Sequence, residues 1–404
     1  MNKGKVINKP LEARKASPLL VSVSAVILGM LAGCILILVI GKNPITGYSK
    51  LFMGALSNKR KIGATIGLST QLIFAGLSFS FAYKTGLFNI GGSGQMLVGG
   101  ITCSLLAHML PAGIPRPIYL VIIILAAILA GGLWGFISGF LKAKFNVHEV
   151  VSCIMLNWIA YWICYDFIPR FIIDPSIAVK SAPIANERTL RSGIFTALFG
   201  KTTTANLGFL LAIAAVVLIW FILNKTTLGF NLKAVGANRY CAEYAGIKVT
   251  KSIIISMAIS GALCGLAGLS FYCGYSNIME MGKMPSEGFD GIAVSLLGNA
   301  TPVGSLVAGL FFGVLKNGKL SLAAIGIPTE LADTIIAIII YFAATNVLFR
   351  NFWDGRFKKS FERQEEYFSL AVKGEKTMDQ VTPEERKALI KQGKELAKAK
   401  KEVK

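Results

Sequence analysis

Gly86-Leu87-Phe88-Asn89-Ile90-Gly91-Gly92-Ser93-Gly94-Gln95 opens one short apolar stretch of the chain, and Glu287-Gly288-Phe289-Asp290-Gly291 opens another that runs from Ile292 to Gly298. Both put glycines and polar side chains where a membrane helix would otherwise be continuous. Backbone that leaves the helix inside a bilayer must be buried in protein or line a cavity, because no lipid can satisfy its polar groups. Interrupted helices at matching places in two halves of a membrane protein are therefore the best sequence pointer to a translocation pathway.

The rest of the chain fits that setting. Hydrophobic residues make up 54% of its 404 residues and charged residues 16%, against roughly 25% charged in soluble domains. Mean hydropathy is +0.61. Hydropathy and turn signals give ten membrane segments, at about 19–40, 62–83, 87–109, 118–141, 150–168, 207–223, 253–273, 288–300, 302–317 and 331–350. A spanning helix needs about 20 apolar residues, so the eighth and ninth are too short to cross unaided. The expected fold class is an all-α polytopic membrane protein: a segment 1–18, a transmembrane domain 19–350 and a polar tail 351–404.

The two halves echo one another. Ala130-Gly131-Gly132-Leu133-Trp134-Gly135 matches Ala308-Gly309-Leu310-Phe311-Phe312-Gly313, and His148-Glu149-Val150 matches Thr329-Glu330-Leu331. Each match joins segments five apart. An odd offset reverses the direction of travel, which makes two inverted five-segment repeats with short broken helices. An even span count puts both termini on one side. Lys3, Lys5, Lys9, Arg14 and Lys15, with Lys225, Lys233, Arg239, Lys248 and Lys251 of the 224–252 loop, support a cytoplasmic assignment for that side, although outside the tail the lysines and arginines divide almost evenly and the positive-inside rule alone does not decide. Lys59-Arg60-Lys61 opposes the rule, falling on the outer side.

Net charge is +21, but the basic residues lie in the N-terminus, loops and tail rather than on one folded face. Membrane lipid headgroups, not nucleic acid, are the expected counterpart. Leu31-Ala32-Gly33-Cys34 resembles a lipoprotein cleavage site, yet the apolar run continues to Ile40, so 19–40 reads as an uncleaved helix. Seven cysteines without CxxC spacing read as small packing residues. In the tail, Thr382-Pro383-Glu384-Glu385 reads as the capped start of a polar helix reaching about Lys401.

Several motifs separate chemistry from packing. Gly313-Val314-Leu315-Lys316-Asn317-Gly318-Lys319-Leu320 matches most of a P-loop, but Leu320 stands where a Mg²⁺-binding Ser or Thr is needed. Gly131, Gly135 and Gly139, Gly261 with Gly265, and Gly309 with Gly313 recur at four-residue spacing, which suits close helix contact. Asp290 is a costly intramembrane carboxylate whose simplest use is to cap the helix beginning at Gly291. Glu149, Glu330 and Asp333 fall near segment ends, as partners between helices or at the interface. Between segments six and seven, Asn238 caps and Gly246 ends a short helix through Arg239, Tyr240, Glu243 and Tyr244, lying outside the bilayer. Joined to two spans, it is a handle that a soluble partner can move. Neither an HExxH zinc motif nor a GxSxG elbow occurs, and no metal site is expected.

That loop, Thr226 to Gly246, together with Gly86–Gln95, His148–Ala160 and Glu287–Gly304, resembles the membrane subunits of bacterial ABC importers of the nucleoside and simple-sugar branch. The likeness runs from segment two to segment ten. It departs from the family pattern at Ser93, where Glu is usual, and at His148, where Asn is usual. The resemblance implies a permease in the bacterial inner membrane with four partners: a second permease subunit, identical or distinct; a cytosolic ATP-binding subunit; an extracytoplasmic substrate-binding lipoprotein; and a small-molecule substrate. ATP and Mg²⁺ would be bound by the ATPase, leaving this chain without a cofactor or catalytic site. Asn238, Arg239, Tyr240, Glu243, Tyr244 and Gly246 would form the coupling helix. Asn89, Ser93, Gln95, Asn157, Asp290 and Asn299 are the candidate pathway residues, offering amides and hydroxyls suited to a neutral nucleoside. A ribose-type sugar suits them equally, and an ion-coupled secondary transporter would also fit broken, inverted repeats.

Overall fold

The computed structural model describes residues 18–111, 113–345, 351–356, 364, 366–368, 371–372, 381 and 383–402. The basic N-terminal residues, Thr382 and the last five residues of the expected tenth segment lie outside them. Among the described residues six helices are long and apolar enough to cross a membrane: Leu20–Val39, Lys59–Tyr83, Arg116–Phe145, Glu149–Ile172, Gly208–Lys225 and Val249–Tyr275. The protein is accordingly an all-α, multi-pass membrane protein.

In chain order the helices are α1 (Pro18–Val39), α2 (Pro44–Leu56), α3 (Lys59–Tyr83), α4 (Gly92–Met109), α5 (Arg116–Phe145), α6 (Glu149–Phe167), α7 (Gly193–Phe199) and α8 (Gly208–Lys225). There follow α9 (Thr227–Ala237), α10 (Arg239–Tyr244), α11 (Val249–Ser270), α12 (Glu287–Leu297), α13 (Pro302–Gly318), α14 (Thr329–Ala344) and α15 (Pro383–Glu402). Contacts divide the chain into two compact units, Leu28–Ala344 and a smaller one of Met1–Ile27 with Thr345–Lys404. In the smaller unit Trp353 Nε1 donates to Ser24 Oγ at 3.1 Å, and α15 begins at Pro383 as its sequence suggests.

Within Leu28–Ala344, Ile73, Phe74, Leu77 and Phe81 of α3 meet Met96 of α4, Leu263 and Ala267 of α11, and Val216 and Ile219 of α8 in a buried core. Glycine ridges set how closely these helices approach. A methyl group added at Gly131, Gly135, Gly261 or Gly265 would collide with backbone carbonyls across the α5–α11 contact, and one at Gly309 or Gly313 would strike Ile73 or Ser69 of α3. Close backbone approach is the basis of helix association where lipid removes the hydrophobic driving force. Of the cysteines, Cys103, Cys153, Cys164, Cys264 and Cys273 are buried and all seven are free.

The structure corrects two local expectations and adds two elements that the sequence did not signal. The third segment is helical only from Gly92, because 87–91 is irregular and non-helical. The eighth begins at Glu287 after Ser286, with no side-chain cap, so Asp290 lies within the first turn rather than at the cap. Helix α2, capped by Asn43 on Ile45 N at 2.9 Å, is amphipathic and too short to read as a span. Between α6 and α8 lies a hairpin of β1 (Ile173–Asp174) and β2 (Ile177–Ser181), paired antiparallel. Strands this short have no legible period; tertiary pairing makes them. Ser181 N donates to Met279 O and Met281 N to Val179 O, both at 2.9 Å, so β2 is tied to the segment before α12.

Glu280 fastens that tie, with Lys283 at 2.9 Å and Lys180 of β2 at 3.0 Å. Hydrogen bonds from Lys283 and then Lys180 hold its carboxyl below the usual carboxylate range. A depressed folded-state pKa gives stability that is present above the unfolded value, near 4.3, and lost as pH falls through the folded one. Glu280→Gln should therefore lower the melting temperature at pH 7, and the gap to the native protein should close below about pH 4, as thermal unfolding in detergent at both pH values would record.

Candidate functional site

The chain break before α4 is held by side chains. After α3, Gly86 takes φ +74, a left-handed turn, and the irregular stretch 87–91 follows. Asn89 Nδ2 donates to Gln95 Oε1 at 3.0 Å and to Ser260 Oγ of α11 at 2.6 Å. Its Oδ1 accepts from Gly91 N at 3.0 Å and from Gln95 Nε2 at 3.2 Å. Asn157 of α6 works from the other side: Oδ1 accepts from Gly94 N at 2.8 Å and Nδ2 donates to Ile90 O at 3.0 Å. Two asparagine amides thus replace the backbone bonds that the missing helical turn would have made. All three amide side chains are buried.

Ser93 joins this break to the other one. Its Oγ donates to Pro285 O at 2.8 Å, just ahead of α12. Gly92 and Gly288 pack backbone to backbone with no space for a Cβ on either. The starts of α4 and α12 therefore abut inside the protein, and neither carries a side-chain cap.

Helix α12, a tight turn and α13 form a helical hairpin against α3. Asn299 and Ala300 adopt φ +53 and +47 at its tip, and Asn299 shapes that turn. Ser80 of α3 bonds Ser295 at 2.6 Å and Ser305 at 2.7 Å, pinning both arms near the tip. At the open end Lys316 of α13 pairs with Asp290 and lies 3.9 Å from Glu287, while Lys319 meets Asp333 of α14 at 2.7 Å. Beside these charges is a cavity of about 420 Å³ that also touches Leu68, Tyr275 and Ile336. The lysines of the P-loop-like stretch are thus spent on carboxylates, on a helix rather than a strand-to-helix loop. Elsewhere Glu149 pairs with Lys142 across α5 and α6 at 3.0 Å.

Outside the spanning helices, Thr226 Oγ1 caps α9 on Gly229 N at 3.2 Å, and Asn238 Oδ1 caps α10 on Tyr240 N and Cys241 N at 3.0 and 3.1 Å. Gly246, at φ +83, ends it. Ala242 is buried beneath α10, whereas Tyr240 and Tyr244 are 76% and 97% exposed. At the end of α9, Gly236 packs directly on the backbone of Lys84 and Gly86, too close for a Cβ. Burial, reinforced by Lys233, lowers the Lys84 pKa. Helix α9, which α10 follows directly, therefore rests on the turn that leads into Asn89.

The candidate pathway residues fall into three places: Asn89, Ser93, Gln95 and Asn157 at the break, Asp290 on the cavity, Asn299 at the hairpin tip. Sequence reading missed Glu287 and Lys316 as a charge cluster, although an ionisable pair at matched depth in two apolar runs is a usable signal. It also missed Gln71 of α3, fully buried, whose amide nitrogen and oxygen lack partners among the described residues. A lone amide in an apolar helix gives no warning of that.

A family model described as branched-chain amino acid transport system, permease component, matches residues 62–344. The guanosine ABC transporter permease protein NupP of Bacillus subtilis is 41% identical over 348 residues, 86% of this chain and 98% of its own length. The nucleoside ABC transporter permease protein NupB of Lactococcus lactis is 38% identical over 339 residues, covering 83% and 93%. A glucose ABC transporter permease protein of Haloferax volcanii is 29% identical over 356 residues, covering 85% and 92%. No solved structure matches.

Replacing Asn89 with Leu would strand the Gly91 N–H and the Gln95 amide, each at about 1–3 kcal/mol when buried and unpaired, while Ser260 keeps its bonds to Ser78. The expected outcome is a melting temperature lowered well beyond that of Asn89→Ser, measured by fluorescence-detected unfolding of purified protein.

Proposed function

The chain belongs to the permease components of the branched-chain amino acid transport system family, and from that premise we propose that it is the membrane-spanning subunit of an ATP-driven importer of nucleosides. The nucleoside assignment is supported by relatives so named at 41% and 38% identity over nearly their whole lengths, against 29% for the glucose relative. Membership also argues against an ion-coupled carrier, since energy in this family comes from a separate ATP-binding subunit. This chain supplies the pathway and no catalytic residue.

In this reading ten segments cross the membrane as two inverted five-segment repeats. Supporting it, Gly131 and Gly135 of α5 pack on α11 while their counterparts Gly309 and Gly313 of α13 pack on α3, and α4 and α12, five segments apart, begin against each other. Helices α9 and α10 then lie on the cytoplasmic side with both termini. The permease pairs with a second permease subunit and receives substrate from an extracytoplasmic lipoprotein.

One observation carries the mechanism: the exposed α10 follows directly on α9, and α9 rests through Gly236 on the Gly86 turn. A push on Tyr240 and Tyr244 is transmitted through α9 to that turn, to the Asn89 and Asn157 bonds, and through Ser93 to the start of α12. These hydrogen bonds are a switchable joint, because side-chain amides can exchange partners without breaking a helix. Alternating access needs such a two-state element biased from outside.

Glu243→Ala and Tyr244→Ala, both on the face away from Ala242, should leave the melting temperature within about 0.5 kcal/mol equivalent, as exposed substitutions do. In the assembled transporter, guanosine uptake should fall by about tenfold, the equivalent of roughly 1.4 kcal/mol of coupling, while ATP hydrolysis continues. Unchanged uptake per ATP would remove α10 from the coupling path.

A further inference from the structure

The cavity at the open end of the α12–α13 hairpin takes no part in the coupling path described above, and its lining has a chemistry of its own. Its volume, about 420 Å³, is in the roughly 300–1,000 Å³ range of small-molecule sites. One wall is apolar, formed by Leu68 and Ile336, with the ring of Tyr275 beside it. The other carries Glu287, Asp290 and Lys316, and Lys319 with Asp333 stands across the mouth. Three carboxylates thus face two ammonium groups.

We propose that this cavity is a nucleoside-binding subsite of the pathway, one that accepts the uncharged nucleoside and rejects its phosphorylated form. The proposal rests on the nucleoside reading above. The base lies against Tyr275 and the aliphatic wall, a surface suited to a flat ring. Hydroxyls and base N–H groups donate to Asp290 and Glu287, and Lys316 donates to a ring carbonyl or nitrogen. A buried carboxylate is tolerated only while it is paired. Lys316 serves both Asp290 and Glu287, so ligand donors can take over Asp290 while the ammonium stays on Glu287 and neither charge is stranded. The excess of carboxylates repels a phosphate.

The test uses the complete transporter with its companion subunits in proteoliposomes, with guanosine and adenosine as substrates and GMP as the comparison. Asp290→Asn should raise the KM for guanosine at least tenfold. The reversed pair, Asp290→Lys with Lys316→Asp, restores an ion pair but not the acceptor position, and should stay equally impaired. Native KM in Asp290→Asn, or recovery in the reversed pair, would reduce the cluster to a hairpin brace and overturn the proposal. Leu320→Cys, on the exposed rim and made in a Cys241→Ser background, guards against misfolded variants. Guanosine should slow modification of that thiol at least fivefold and GMP should not; equal rates with all three ligands would also overturn the proposal. If the native transporter imports neither nucleoside, the underlying assignment of substrate fails, and that result is distinct from native import with an inert cavity.

Discussion

Every part of this molecule answers to one constraint: a backbone that stops being helical inside an apolar surrounding must find substitutes for its lost hydrogen bonds. At 87–91 the substitutes are two asparagines. Asn89 comes from the break itself and Asn157 from α6, and between them they serve Ile90, Gly91, Gly94 and Gln95. A helix would have been cheaper to build. The break persists because it places the start of α4 inside the protein, against the start of α12, where a continuous helix would have left only a smooth wall.

Close packing makes that placement possible. Glycines on α5, α11 and α13 bring backbones into contact, and Gly92, Gly94 and Gly288 do the same at the break. Contacts between backbones are stiff, so a displacement at one end travels instead of dissipating, consistent with densely packed interiors. Serines pin the hairpin to α3 near its tip, whereas ion pairs hold the open end. The two ends therefore differ in kind: short hydroxyl bonds at one, exchangeable charges beside a cavity at the other.

Much of this was legible before any coordinates. Periodicity and length located all six long spans because about 20 apolar residues are an unmistakable signal. The cap Asn238 and the terminator Gly246 were readable because capping is local chemistry between residues two or three apart. Glycine ridges were visible as spacing, and they pack as spacing suggests. The β hairpin was not legible, since strands of two and five residues owe their existence to pairing with each other and with 277–281. Nor was the function of Asp290: as a cap it would have looked backward to its own amides, but α12 starts earlier and turns the carboxylate toward Lys316.

The sequence by itself determined the membrane setting, the helical class, the places where helices break and the capped, exposed helix between α8 and α11. Each of these is set by neighbours along the chain: runs of apolar residues, glycine clusters, caps. Only the tertiary structure decided that Asn157 mends the break begun at Asn89, that Gly236 rests on Gly86, and that Glu287, Asp290 and Lys316 share a cavity with Tyr275. Asn89 and Asn157, Gly86 and Gly236, and Asp290 and Lys316 lie far apart along the chain, and hydrogen bonds and ion pairs act over a few ångströms of space, a distance that no spacing along the chain encodes.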